Sequence, residues 1–127
     1  LSIDKFIGVP FKALGRTFAG CDCWGLVRLW YQDKLGIDLP MYASYASETD
    51  TEAISSIISR QKIHWTPVAK FEPGDVIVIR MAGKECHVGI YLSGNRLLHA
   101  RSGVDSCIES LDHTRWRNRI AGGYRYE

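Results

Sequence analysis

The spacing of apolar residues changes character at Pro73-Gly74-Asp75, and that change limits what the chain can become. Upstream, apolar residues recur at helical spacing. Leu26, Val27 and Trp30 lie three, four and seven residues after Cys23, and Ile54, Ile57 and Ile58 make a second stripe. Downstream the period falls to two, with a dense β-branched run at Val76 to Arg80. The stretch His87 to Leu92 alternates Val88, Ile90 and Leu92 with His87, Gly89 and Tyr91. Helices first and antiparallel strands second predict an α+β layout. At 127 residues the chain has room for one domain, residues 1–127, around one core.

The first helix is expected from about Asp22 to Lys34, with Asp22 as its cap, Gly36 as its stop and Pro40 preventing a restart. The second is expected from about Asp50 to Arg60, with Thr49 and Glu52 at capping-box spacing. Residues 1–19 read as a short helix or turn followed by an irregular loop, and Met41 to Ala46 as a loop. Trp65 to Pro67 should be extended, since the residue before a proline avoids the helical region. Further strands are expected at Arg96 to Arg101, Asp105 to Leu111 and Ile120 to Tyr126, the last weakened by Gly122 and Gly123.

Cys23 at a helix start meets unpaired backbone N–H groups, whose partial positive charge favours thiolate over thiol. Cysteine hydrolysis of an amide also needs a histidine and a polar group that orients it. His87 opens one strand and His99 lies near the end of the next. Whether they meet depends on parity, because a one-residue slip sends a strand's side chains to the opposite face. A two-residue loop at Gly94-Asn95 would separate them. A three-residue loop at Ser93-Gly94-Asn95 sets His87 opposite Arg101, with His99 as its diagonal neighbour on the same face, about 7–8 Å away between backbones. The second register is the one expected.

Net charge is only +2, and the Arg115, Arg117 and Arg119 run is local, so nucleic acid is not an expected partner. No apolar run reaches the roughly 20 residues of a membrane span, and no secretory signal is visible. Four cysteines in an ordinary core do not make a disulfide scaffold. A zinc site from Cys21, Cys23, Cys86 and His87 lacks usual ligand spacing, and no metal or other cofactor is expected. Cys21 and Cys107 read as packing residues, Cys86 as pointing into or beneath the sheet, and His64 and His113 as surface residues. Asp105 is near enough in sequence to approach the site but is not assigned to it.

Five segments in order resemble the NlpC-type family of cell-wall cysteine peptidases, compact relatives of papain. They are Gly8-Val9-Pro10-Phe11, Asp22-Cys23-Trp24-Gly25-Leu26-Val27, Pro73-Gly74-Asp75, His87-Val88-Gly89-Ile90-Tyr91 and Leu97-Leu98-His99-Ala100. The resemblance implies a papain-like fold, N-terminal helices packed on a C-terminal antiparallel sheet of about five strands. It implies Cys23 as nucleophile, His87 as base and His99 as the orienting member. The implied substrate is a peptidoglycan stem peptide, cut between D-glutamate and diaminopimelate or lysine.

Asp22 and the backbone N–H of Cys23 are candidates for the oxyanion region and its support. Phe11, Trp24 and Tyr45 are candidate substrate contacts. Phe11 stands where many members carry tyrosine, and Trp24 where a small residue is usual. The Gly-Cys-Asp-Cys opening and the Arg119-x-x-Gly-Gly-Tyr-Arg-Tyr close resemble the phage and prophage tail-associated branch. That branch implies other tail proteins as partners, and a location in the virion tail or at the bacterial cell wall. Two alternatives remain open from sequence: a tail structural module with little or no turnover, and acyl transfer or another amide hydrolysis at the same site.

Overall fold

The computed structural model describes residues 3–47 and 49–126. After a short 3-10 turn at Asp4–Phe6 come β1 (Arg16–Thr17) and β2 (Gly20–Cys21), then α1 (Cys23–Leu35) and α2 (Thr51–Gln61). A second 3-10 turn, Lys62–His64, leads to β3 (Thr66–Val68), β4 (Val76–Met81), β5 (Lys84–Leu92), β6 (Arg96–Arg101), β7 (Val104–Ser110) and β8 (Ile120–Arg125). β3 to β8 form one antiparallel sheet in the order β3-β8-β4-β5-β6-β7. The α+β layout is as expected, with six strands where about five were read. The extra strand is the stretch around Pro67. It pairs with β8 at the edge of the sheet, a position where a missing N–H is tolerated.

The sheet buries side chains on both faces, which is why β4 reads Val-Ile-Val-Ile without polar alternation. Val76, Val78, Val88, Ile90, Leu92 and Leu98 share one apolar cluster with Leu26, Val27, Trp30 and Tyr31 of α1. Ile77, Ile79 and Leu97 form a second cluster on the other face with Leu111 and Trp116. Trp116 comes from the connection between β7 and β8, which the sequence shows only as polar.

Three local features differ from expectation. The Thr49–Glu52 capping box does not form: Asp50 precedes α2 without a side-chain cap, accepting instead from Ala46 N–H, while Thr49 Oγ1 bonds Ser47 Oγ at 2.8 Å. The segment before Cys21 is not wholly irregular, since β1 and β2 pair as a two-residue ribbon. Gly123 does not weaken β8; a Cβ there would lie 2.5 Å from the Phe71 ring, so the missing side chain is what lets Phe71 pack across the strand.

Gly25 fixes the approach of α1 to the loop before it. A Cβ at this position would sit 2.1 Å from the Gly15 carbonyl oxygen and 3.0 Å from Cys21 Cβ. The same Gly15 carbonyl accepts from Asp22 N–H and from Arg16. Close backbone contact at Gly25 thus sets where the first turn of α1 begins.

Candidate active site

Asp22 caps α1 and anchors the loop that brings Cys23 to the helix start. One oxygen, Oδ1, accepts from Gly25 N–H at 2.8 Å and from Arg16 at 2.8 Å. The other accepts from Leu14 N–H at 3.0 Å and from the Tyr45 hydroxyl. Arg16 in turn donates to Tyr45 and to the Met41 carbonyl. The carboxylate is therefore fully engaged in holding the helix start and the Met41–Tyr45 segment together. Its assignment as support for the oxyanion region is untouched by this geometry; its structural task is plain.

Cys23 is the first residue of α1, and its sulfur accepts hydrogen bonds from the backbone N–H groups of Val88 and Trp24. Val88 follows His87 directly, so β5 delivers the imidazole and a sulfur-binding amide from adjacent residues. The ladder between β5 and β6 runs Ile90↔Leu98, Tyr91↔Leu97 and Leu92↔Arg96, the register of the three-residue loop. His87 and His99 lie on one face, and His87 Nε2 is 2.8 Å from His99 Nδ1. Both imidazoles are buried.

Two residues absent from the sequence reading complete the cluster. His99 Nε2 is 2.7 Å from Glu109 Oε2. The Trp116 ring lies near-parallel to His87 at 6.3 Å between centroids and edge-on to His99 at 5.0 Å. Glu109 reaches His99 through a shift in the β6–β7 ladder: Arg101 pairs with Val104 but His99 with Cys107, so Glu109, two residues on, is the diagonal neighbour of His99, and no sequence pattern marks that shift. Asp105, on the other diagonal, is exposed.

Cys23, His87, Phe11, Trp24 and Tyr45 all line one cleft of about 510 Å³. Ile54, Ile57 and Ile58 of α2, with Trp65 and Tyr124, make much of its apolar wall. Trp24 is held by its indole N–H donating to the Pro40 carbonyl at 2.8 Å and by contact with Tyr42, ring centroids 5.1 Å apart. Cys86 also lines this cleft rather than pointing into or beneath the sheet, its sulfur 3.7 Å from the Met81 carbonyl. Cys107 is half-buried opposite His99 instead of packed in the core. Cys21 is fully buried, and His64 and His113 are exposed.

The expectation of a depressed thiol pKa is overturned. Burial pushes the Cys23 thiol up to about 12, and the Asp22 charge adds to this against the two backbone N–H donors. The helix start stabilises thiolate in sign, but desolvation by the residues packed around the sulfur outweighs it. His87 moves the opposite way, down to about 3, by burial and then by the neighbouring His99 and Arg101. The resting site therefore holds a neutral thiol and a neutral imidazole. Such a pair transfers a proton as the sulfur attacks, rather than waiting as a preformed ion pair.

These shifts give a pH prediction. His87 and His99 have lowered folded pKa values, so the stability they carry is complete above 6.5 and drains away as pH falls toward about 3. Cys23 has a raised folded pKa, so its contribution is complete below 9.0 and lost as pH rises toward about 12. Melting temperature should peak between about pH 6.5 and 9 and fall by roughly 10 °C or more from pH 7 to pH 4. Differential scanning fluorimetry across pH 4–11 measures this; a flat acid limb would contradict the buried-neutral assignment of the two imidazoles.

His99, Cys107 and Glu109 offer nitrogen, sulfur and oxygen donors within 4.8 Å of one another, a set with the composition of a zinc site. Arg101 and Arg115 stand 3.9 and 3.6 Å from the Glu109 carboxylate and oppose a cation there.

The model of the NlpC/P60 family matches residues 8–125. The chain is 27% identical over 112 residues to murein DD-endopeptidase MepS/murein LD-carboxypeptidase of Escherichia coli K12, covering 88% of this chain and 53% of that protein. It is 31% identical over 127 residues to gamma-DL-glutamyl hydrolase of Bacillus subtilis, covering 98% of this chain and 28% of that protein. The chain thus spans about half the length, or less, of these curated relatives. Among solved structures, an NlpC/P60 family protein from Bacillus cereus ATCC 10987 superposes with a TM-score of 0.70 at 22% identity, over 99% of this chain and 40% of that one. A similar-to-lipoprotein NLP/P60 family member from Staphylococcus aureus Mu50 gives 0.66 at 28% identity, over 97% and 39%.

Proposed function

The chain belongs to the NlpC/P60 family, and from that premise we propose that residues 1–127 act as one catalytic unit, a cysteine endopeptidase that hydrolyses peptidoglycan stem peptides. The observation that carries this reading is the meeting of α1 and β5. The Cys23 sulfur is held by Val88 N–H, and the adjacent His87 is bonded to His99 at 2.8 Å.

The chemistry follows from the neutral pair. His87 Nδ1, the ring nitrogen not engaged by His99, takes the thiol proton as sulfur attacks the scissile carbonyl carbon. The oxygen becomes an oxyanion beside the first turn of α1, where the Cys23 N–H is a donor. Collapse breaks the C–N bond, the amine leaves with the proton from His87, and a thioester remains on Cys23. Water then attacks the thioester, giving its proton to His87, and the thiol is restored as the acid departs. Phe11, Trp24 and Tyr45 contact the substrate from the cleft wall.

Support for a murein substrate comes from the name of one relative, murein DD-endopeptidase MepS/murein LD-carboxypeptidase; the other is named gamma-DL-glutamyl hydrolase, without mention of murein. The finer bond assignment, D-glutamate to diaminopimelate or lysine, rests on the sequence resemblance. Association with a phage tail, and a location in the virion or at the cell wall, rest on the resemblance of the Gly20–Cys23 and Arg119–Tyr126 segments described above. Immunodetection of the protein in purified virions tests that part.

The activity is tested by incubating the protein with purified muropeptides of both stem chemistries and reading the products by mass spectrometry. New fragments cut within the stem are expected. An unchanged muropeptide profile ends the endopeptidase reading and leaves the structural tail module, which the high pKa of Cys23 favours.

A further inference from the structure

Glu109 stands at the far end of a chain of contacts that begins at the nitrogen facing no other imidazole, His87 Nδ1. From there the chain runs His87 Nε2 to His99 Nδ1 at 2.8 Å, and His99 Nε2 to Glu109 Oε2 at 2.7 Å. We propose that Glu109 is a positioning residue: its carboxylate fixes which nitrogen of His99, and through it which nitrogen of His87, carries the proton. This deepens the reading of Cys23 and His87 as the reacting pair and rests on it.

The direction of the chain follows from what each group can donate. An ionised carboxylate only accepts, so the hydrogen in the 2.7 Å contact lies on His99 Nε2. A neutral imidazole protonated at one nitrogen offers a lone pair at the other, so His99 Nδ1 accepts. The hydrogen in the 2.8 Å contact must then come from His87 Nε2. His87, also neutral, is left with its lone pair on Nδ1, the form required of a base for the thiol. Run in reverse, the same two imidazoles would put a hydrogen on His87 Nδ1 and leave no base there. Two histidines alone do not choose between these orders; an anion at one end does.

The surroundings of Glu109 keep it ionised. Burial raises its pKa, but the His99 hydrogen bond and the Arg101 charge bring it below the ordinary carboxylate value overall. Arg101 Nε lies 3.9 Å from Oε2, and Arg115 lies 3.6 Å from Oε1. The Cys107 thiol, 3.8 Å from Oε2, is neutral because burial and Glu109 itself raise its pKa. Arg101 is braced over the Trp116 ring, 5.6 Å from its centroid. His99 stays neutral because burial outweighs the pull of Glu109.

The test reads the tautomers directly. Long-range ¹H–¹⁵N spectra of the intact protein, with ¹⁵N-labelled histidine, at about pH 7.5 are expected to show both buried imidazoles protonated at Nε2. Glu109→Leu should shift His87 toward the Nδ1–H form and slow iodoacetamide alkylation of Cys23 by about 10- to 100-fold. Glu109→Gln, whose carbonyl still accepts from His99 Nε2–H, should restore the Nε2–H order and bring alkylation within about threefold of the parent protein.

A parent spectrum with His87 protonated at Nδ1 overturns the proposal whether or not any variant folds. So does a folded Glu109→Leu protein with unchanged tautomers and alkylation rate. Neither readout uses peptidoglycan, so an inactive protein with the expected tautomers would count against the endopeptidase reading and leave the role of Glu109 standing.

Discussion

Cys23→Ala is expected to lower muropeptide cleavage at least 10⁴-fold, roughly the scale for removing a covalent nucleophile, while shifting stability by less than about 1 kcal/mol. The small structural cost follows from the size of the change: alanine keeps the Cβ of Cys23 and its place at the start of α1, and only the sulfur is removed. His87→Ala should be nearly as severe, about 10³- to 10⁴-fold, because the thiol pushed up to about 12 has no intrinsic route to thiolate at neutral pH. It should also cost about 1–3 kcal/mol in stability, since His99 Nδ1 loses its partner inside the protein. The double variant Cys23→Ala/His87→Ala should be no slower than Cys23→Ala alone, as expected of groups that act as one unit. Quantifying stem fragments by mass spectrometry for the three proteins decides it. Retained cleavage in Cys23→Ala would remove the thiol from the reaction.

The parts of this site that sequence reveals are those set by local rules. Parity of the β5–β6 hairpin is a property of its loop, where Gly94 and Asn95 take φ values of 81° and 56° and fix a three-residue connection. The loop alone therefore sets His87 and His99 on one face. The same arithmetic does not reach Glu109: the Gly103 turn pairs Arg101 with Val104, and an irregularity between His99 and Arg101 shifts the ladder so that His99 faces Cys107 and Glu109 comes onto its face. The boundaries of α1 were legible because Asp22 and Gly36 are strong caps, one accepting from Gly25 N–H, the other left-handed at φ 67°.

What stayed hidden depends on packing between distant segments. The apolar stripe of α2 reads as a core face, but only Ile57 is buried, while Ile54 and Ile58 are half-buried and line the cleft. The charge state of Cys23 is hidden from the sequence for the same reason. The helix start that favours a thiolate is visible in the sequence; the desolvation that opposes it comes from the residues packed around the sulfur. Trp116 lies in a connection with no periodicity, so nothing local marks it as the ring against which both imidazoles pack.

Trp116→Ala is the substitution expected to damage stability most. The side chain is 1% exposed and anchors the second apolar cluster with Ile77, Ile79, Leu97 and Leu111. Removing a buried tryptophan costs about 3–5 kcal/mol, so the melting temperature should drop by roughly 10–20 °C. The loss should also reach the chemistry, because the indole is part of what keeps water from His87 and His99. With the ring gone, both imidazoles regain hydration, and their pKa values should climb back toward 6.5. A protonated His87 cannot accept the thiol proton, so the rate of Cys23 alkylation should acquire a new acid limb near pH 6 that the parent protein lacks. Trp116→Phe, which keeps an aromatic face over the two rings, should lose less stability and show no such limb. The pH profile separates this role from simple core filling: a destabilised Trp116→Ala protein whose alkylation profile kept the parent's shape would show that burial of the imidazoles does not depend on the indole.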